Sequence, residues 1–233
     1  MRCSLLLADV DNTLFDFRSA ERAAYAAVTA HFSLPDDEEL FLLYKAINTR
    51  HWQRLRRGET TSAMLRVDRF RDFMAAQGVE DADIPAMSAY YVKMLQRQHT
   101  PVAGAEDFLK RVSARMPVCL VTNGFASVQR ARMQASPLRR YIADVLISEE
   151  FQNAKPHPEM LLEAMKRTGV TDPAQVVMIG DNEDTDILAA KNAGTKSILF
   201  LCGAQPPART QADFVAETLN DAADWILSSA HTP

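Results

Sequence analysis

Four short apolar runs, Leu5–Ala8, Val118–Val121, Val176–Ile179 and Ile198–Leu201, constrain this chain more than any other feature. Each is too short for a buried helix and is apolar at every position, as strands are when both faces of their sheet are covered. Asp144–Ile147 and Phe214–Ala216 are weaker candidates of the same kind. Between most of these runs lie segments of helical period: Ala105–Arg115, Ser127–Ala135, Pro158–Thr168 and Asp184–Asn192. Strands that alternate with helices predict a parallel sheet with helices on both faces.

The rhythm breaks once. From about Asp16 to Thr100 there is no convincing strand, and four helix-like segments follow one another: Ser19–Phe32, Asp36–Arg57, Thr61–Gln77 and Ile84–Gln98. Acidic Asp36, Asp37, Glu38 and Glu39 suit a helix N-terminus, and Gly58 and Gly78 suit C-terminal stops. The segment is too long for a loop and suits a small helical cap. The expected fold is therefore α/β, a Rossmann-like parallel core made of residues 1–15 and 100–233. An all-helical cap of residues 16–99 is inserted after its first strand.

Composition narrows the function classes. The 233 residues are 47% apolar and 24% charged, enough for a sizeable core. A net charge of −4 argues against sequence-independent nucleic-acid binding, yet leaves room for a small anionic substrate in a local basic pocket. Cys3, Cys119 and Cys202 are far apart and form no CxxC pair, so no disulfide framework is expected, and Cys119 and Cys202 read as core residues. No apolar run approaches a membrane span, and the start of the chain lacks the pattern of a signal peptide. The expectation is a cytoplasmic protein with neither a membrane nor a nucleic-acid partner.

Chemistry gathers at the expected strand exits. Asp9 and Asp11 follow the first run, on one side of an extended segment. Two carboxylates so close repel each other unless a cation or shared proton intervenes. One can attack or bind metal while the other passes a proton. Thr122-Asn123-Gly124 ends the second run and reads either as an anion cradle or as an ordinary turn. Lys155, before Pro156, is either a fixed cation for phosphate or carboxylates, or a solvated surface residue. Gly180 closes the next run and permits a tight exit, and Asp181 and Asp186 offer further oxygen ligands suited to Mg²⁺. Glu183 and Asp184 read as an acidic helix start.

Taken together, Asp9-Val10-Asp11-Asn12-Thr13, Leu120-Val121-Thr122-Asn123-Gly124, Lys155-Pro156 and Gly180-Asp181-Asn182-Glu183-Asp184-Thr185-Asp186 resemble the four motifs of the haloacid dehalogenase superfamily. The resemblance covers essentially the whole chain, because the helical insert matches the position of that family's cap. Tyr44-Lys45-Ala46-Ile47-Asn48, Trp52, Gly58 and Thr60-Thr61-Ser62 are further similar to its noncanonical pyrimidine nucleotidases. So are Thr122–Gln129, Leu138–Tyr141 and Ile147–Glu150. One departure is Phe151–Ala154, where relatives usually carry a Gly.

The resemblance implies a phosphatase acting on a small phosphate monoester. The nearest reading is a 5′-nucleotidase on pyrimidine (UMP, dUMP, dTMP) or modified-base nucleoside monophosphates. It implies that Asp9 attacks phosphorus and that Asp11 moves the proton. Mg²⁺, or Mn²⁺ with the same ligands, would be held by Asp9, the Asp11 backbone carbonyl and Asp181, with Asp186 in support. Thr122, the backbone of Asn123, and Lys155 would hold the phosphoryl oxygens. In the cap, Trp52 is a candidate to stack on a base and Asn48 or Arg50 to read its edge, against a packing role for Trp52. Met64, Phe70, Phe73 and Met74 follow helical spacing and read as cap core. A phosphatase of sugar phosphates or other small metabolites uses the same core motifs. A non-catalytic module binding Mg²⁺ and phosphate is the reading from another class.

Overall fold

The computed structural model describes residues 3–228. Strand β1 (Leu5–Ala8) leads into four helices, α1 (Phe17–His31), α2 (Glu38–Arg56), α3 (Ser62–Ala76) and α4 (Ile84–Gln96). The chain then alternates: α5 (Ala105–Ser113), β2 (Val118–Thr122), α6 (Ala126–Ala135), β3 (Asp144–Ile147), α7 (Glu159–Thr168) and β4 (Val176–Gly180). It closes with α8 (Leu188–Ala193), β5 (Lys196–Phe200), β6 (Phe214–Ala216) and α9 (Leu219–Ser228). Two compact units result: residues up to Phe17 together with those from His99 onward, and Arg18–Gln98.

In the first unit, the described strands form one sheet of order β3-β2-β1-β4-β5-β6, parallel throughout. Side chains alternate across it. Leu6, Ala8, Leu120, Ile179 and Ile198 pack on one face with Phe108, Leu109 and Val112 of α5 and Ala222, Ala223 and Ile226 of α9. Leu5, Leu7, Cys119, Val121 and Met178 pack on the other with Met160, Leu161 and Ala164 of α7 and Ala189 and Ala190 of α8. This two-sided cover is why the strands read as unbroken apolar runs. Cys202, expected in the core, is instead half-buried in the turn after β5 with a φ of 47°.

Strand order reverses at β1, whose two neighbours, β2 and β4, carry the chain away in opposite directions. That reversal opens a crevice at the carboxyl ends of β1 and β4, where parallel α/β sheets bind ligands. Near the same edge the chain crosses a short neck. The Asp16 N–H donates to the Thr100 carbonyl at 3.0 Å and the Val102 N–H to that of Leu14 at 2.9 Å, while Phe15 bridges Pro101 antiparallel.

The second unit is helical, and its described residues contain no strand. Asp37 caps α2 by accepting from the Leu40 N–H at 2.8 Å, and Thr61 caps α3 by accepting from that of Met64. Gly58 and Gly78 follow α2 and α3 with φ of 72° and 71°, a conformation that ends a helix at little steric cost for glycine. The core is aromatic: Tyr44 lies 5.2 Å from Tyr25, 5.5 Å from Phe70 and 5.7 Å from Tyr91, ring centre to ring centre. Phe70, Phe73 and Met74 are buried as expected, but Met64, in the first turn of α3, is 52% exposed. No helix among the described residues is long and apolar enough to cross a membrane.

Candidate active site

Asp9 is the first residue beyond β1, and its N–H still donates to the Ile179 carbonyl of β4 at 2.9 Å. Asp181 follows β4 directly. A π-helical turn over Glu183–Ile187 then brings Asp186 back to the same place. Asn182 organises that turn: its side-chain carbonyl accepts from the N–H groups of Asp184 and Thr185 at 3.0 and 3.1 Å. Gly180 is needed here for clearance, because a Cβ at that position would stand 2.3 Å from the Asp186 carboxylate. Such single π turns recur at functional sites because they re-aim one side chain inward.

Lys155 reaches this cluster from the loop before α7. Its ammonium donates to Asp9 Oδ1, Asp186 Oδ1 and the Val121 carbonyl, each at 2.6 Å. All three of its protons are thereby used. The missing glycine in Phe151–Ala154 does not alter this reach, because Asn123 fixes the loop. Its amide accepts from the Lys155 N–H and donates to the Lys155 carbonyl, both at 2.9 Å. The Asn123 side chain therefore holds the lysine, and only its backbone is left for an anion.

Charge is unbalanced in the cluster. Oxygens of Asp9, Asp181 and Asp186 lie within 4.8 Å of one another, against the single ammonium of Lys155. Burial pushes the Asp9 carboxyl well above the ordinary range; Lys155 opposes the rise and Asp186 adds to it. Burial, then Asp186, pushes Asp181 up to about 6. For Lys155, burial works against the charged form, but Asp186 and Asp9 outweigh it and hold the ammonium above its usual range. Three carboxylate oxygens with excess negative charge are a donor set suited to a hard divalent cation such as Mg²⁺. The residues present therefore fit the ion.

Asp11 is held separately. Its Oδ1 accepts from Arg132 and its Oδ2 from the Gln129 amide at 2.7 Å. Asn12, next in the chain, sits at a φ of 58°, which asparagine tolerates better than most residues. The Thr122 hydroxyl accepts from the Gly124 N–H and from Gln129, both at 3.1 Å. With its lone pairs engaged, its proton is left to donate. Gln129 and Arg132 are site residues that sequence reasoning missed.

The structure brings together Asp9, Asp181, Asp186 and Lys155, with Thr122 and Asn123 at the neighbouring strand exit. Glu183 is not simply an acidic helix start, since it accepts from the Thr210 hydroxyl at 2.7 Å and the Gln211 N–H at 2.6 Å. The three cap candidates differ in exposure. Asn48 is buried, donating to Glu21 at 2.8 Å and accepting from Arg69 at 3.2 Å, so both ends of its amide are engaged inside the helical unit. Arg50 is exposed and Trp52 half-buried.

Residues 3–194 match the haloacid dehalogenase-like hydrolase family. Pyrimidine 5′-nucleotidase YjjG of Escherichia coli is 29% identical over 231 residues, 99% of this chain and 96% of that protein. Pyrimidine 5′-nucleotidase PynA of Streptococcus pneumoniae is 28% identical over 196 residues, 84% of this chain and 82% of its own. The crystal structure of the HAD-hydrolase YfnB of Bacillus subtilis, bound to magnesium, superposes with a TM-score of 0.89 at 25% identity, covering 97% of this chain and 99% of that one.

Proposed function

Since this chain belongs to the haloacid dehalogenase-like hydrolases, we propose that it hydrolyses pyrimidine nucleoside 5′-monophosphates through a phosphorylated Asp9. The observation that carries the chemistry is the buried cluster in which Lys155 bonds both Asp9 and Asp186 while Asp181 lies within reach of the same centre. The pyrimidine reading is supported by two nucleotidase relatives, one of them similar along almost the full chain.

Asp9 and Asp181, with the backbone carbonyl of Asp11, would hold Mg²⁺ or Mn²⁺, and Asp186 would support the set. The bound cation supplies positive charge where the phosphoryl oxygens gather it. The protein's own groups do the rest. An Asp9 oxygen attacks phosphorus, and the bond from phosphorus to the nucleoside 5′-oxygen breaks. That oxygen leaves with a proton from Asp11. Water then attacks phosphorus, gives its proton back to Asp11 and frees orthophosphate from Asp9. The Thr122 hydroxyl and the Asn123 N–H donate to the phosphoryl oxygens. Lys155 orients Asp9 and balances its charge, and it meets a phosphoryl oxygen only by exchanging one of its three present bonds.

The test is phosphate release with Mg²⁺ across UMP, dUMP, dTMP, CMP, AMP, GMP and several sugar phosphates, with folded Asp9→Asn as control. Preference for uracil and thymine nucleotides is expected. Preference for sugar phosphates would discard the substrate while keeping the mechanism, and turnover by Asp9→Asn would remove the nucleophile.

A further inference from the structure

Two side chains of α6 reach Asp11, and the reaction as described gives them no part. Gln129 is 2% exposed and Arg132 is fully buried. They stand at i and i+3, on one face of the helix. Gln129 donates from Nε2 to Asp11 Oδ2 at 2.7 Å and to the Thr122 hydroxyl at 3.1 Å. Arg132 donates from Nη1 to Asp11 Oδ1 and to Gln129 Oε1 at 3.2 Å. Each Asp11 oxygen therefore has its own donor, and the two donors are bonded to each other.

The clamp is itself held. The Arg132 guanidinium carbon lies 4.9 Å from the ring centre of Phe15 and 5.9 Å from that of Phe17, within the range of attraction between a cation and an aromatic face. Gln129 passes directly over Gly124, where a Cβ would stand 2.2 Å from Nε2 and 2.9 Å from Cδ. Gly124 is not among the positive-φ glycines. Its value is thus clearance for Gln129. A pair built only to neutralise a buried charge needs Arg132 and Asp11; it does not need a second donor on the other Asp11 oxygen that also bonds Thr122.

We propose that Gln129 and Arg132 are positioning residues. They hold the Asp11 carboxyl by both oxygens, fix the direction from which it serves the leaving oxygen, and tie that direction to the hydroxyl of Thr122. Gly124 is the gap that lets the clamp close. This inference rests on the reading of Asp11 as the proton donor.

Leaving-group dependence tests it. The quantity is kcat/KM for two substrates: an alkyl phosphate that the wild type turns over, UMP on the reading above, and 2,4-dinitrophenyl phosphate, whose leaving group departs without a proton. Gln129→Met and Gly124→Ala are measured beside Asp11→Asn. General acid catalysis is worth about 10²–10⁴-fold. Gln129→Met is therefore expected to lose about tenfold or more on the alkyl phosphate and less than about threefold on the dinitrophenyl ester, in the pattern of Asp11→Asn. Gly124→Ala reaches the same clamp from the backbone side and decides the matter if Gln129→Met does not fold. Equal losses on both substrates, or none, while Asp11→Asn discriminates between them, overturn the positioning role and leave that of Asp11 standing. If Asp11→Asn does not discriminate either, the role of Asp11 falls first and this inference with it.

Discussion

Asp181 takes up protons on folding, because its carboxyl moves from 3.8 up to about 6. A folded state that binds more protons than the unfolded chain loses stability as pH rises, here from about pH 4 to about pH 6. Above that window the metal-free protein carries the full penalty. Asp181→Asn is therefore expected to stabilise the metal-free protein at pH 7.5 by on the order of 1–3 kcal/mol, and to remove the rise in Tm on adding Mg²⁺. A lower metal-free Tm at that pH, or an intact Mg²⁺ response, would contradict the assignment. Lys155→Met has the opposite sign. Breaking a buried ion pair from one side costs about 3–5 kcal/mol, and the loss should be larger at pH 8 than at pH 5, because burial raises the Asp9 carboxyl and lower pH favours its neutral form. Denaturant titrations at the two pH values measure it. Asp9 and Asp181 stood out in the sequence because each directly follows an apolar run expected to be a strand, whereas Lys155 lies well beyond a weaker run and read equally as a surface residue. Gln129 and Arg132 did not stand out, since a polar pair at i and i+3 looks like any solvated helix face until the fold lays it against Asp11.

At the level of elements, the six strands and the helical insert were readable because burial on both faces of a sheet leaves an apolar run, and burial on one face of a helix leaves a period. The π turn after β4 has no such signature. Sequence reasoning began a regular helix at Asp184, whereas the structure winds Glu183–Ile187 more widely and starts α8 only at Leu188. That extra width carries Asp186 to Lys155, and Gly180 leaves the space. Gly180→Ala is expected to displace Asp186, lower Mg²⁺-dependent kcat/KM by about tenfold or more, as loss of an electrostatic contact does, and leave far-UV circular dichroism unchanged. Wild-type kinetics in that variant would show that Asp186 needs no such room. The cap candidates were hardest to read. Which face of α2 turns inward depends on α1 and α3, and it is Glu21 of α1 and Arg69 of α3 that claim Asn48.

At the scale of the whole molecule, the chain leaves the α/β unit at Leu14–Asp16 and rejoins it at Thr100–Val102, two hydrogen-bonded segments that form a neck within that unit. Each segment belongs to the α/β unit and is hydrogen-bonded to the other, so that unit keeps its own closure. Replacing residues 18–98 with a short Gly/Ser linker is expected to leave a protein with a cooperative thermal transition and a Tm that still rises with Mg²⁺. A molten, non-cooperative product would show that the sheet depends on the helices for its fold. The neck also bears on inheritance. The entropic cost of closing a loop grows only with the logarithm of its length. Between two points already pinned side by side, a lineage can lengthen, shorten or exchange the excursion at small thermodynamic cost, while the residues that break the phosphate bond stay where they are. The helical unit and the bond-breaking site are thereby open to separate selection within a single gene.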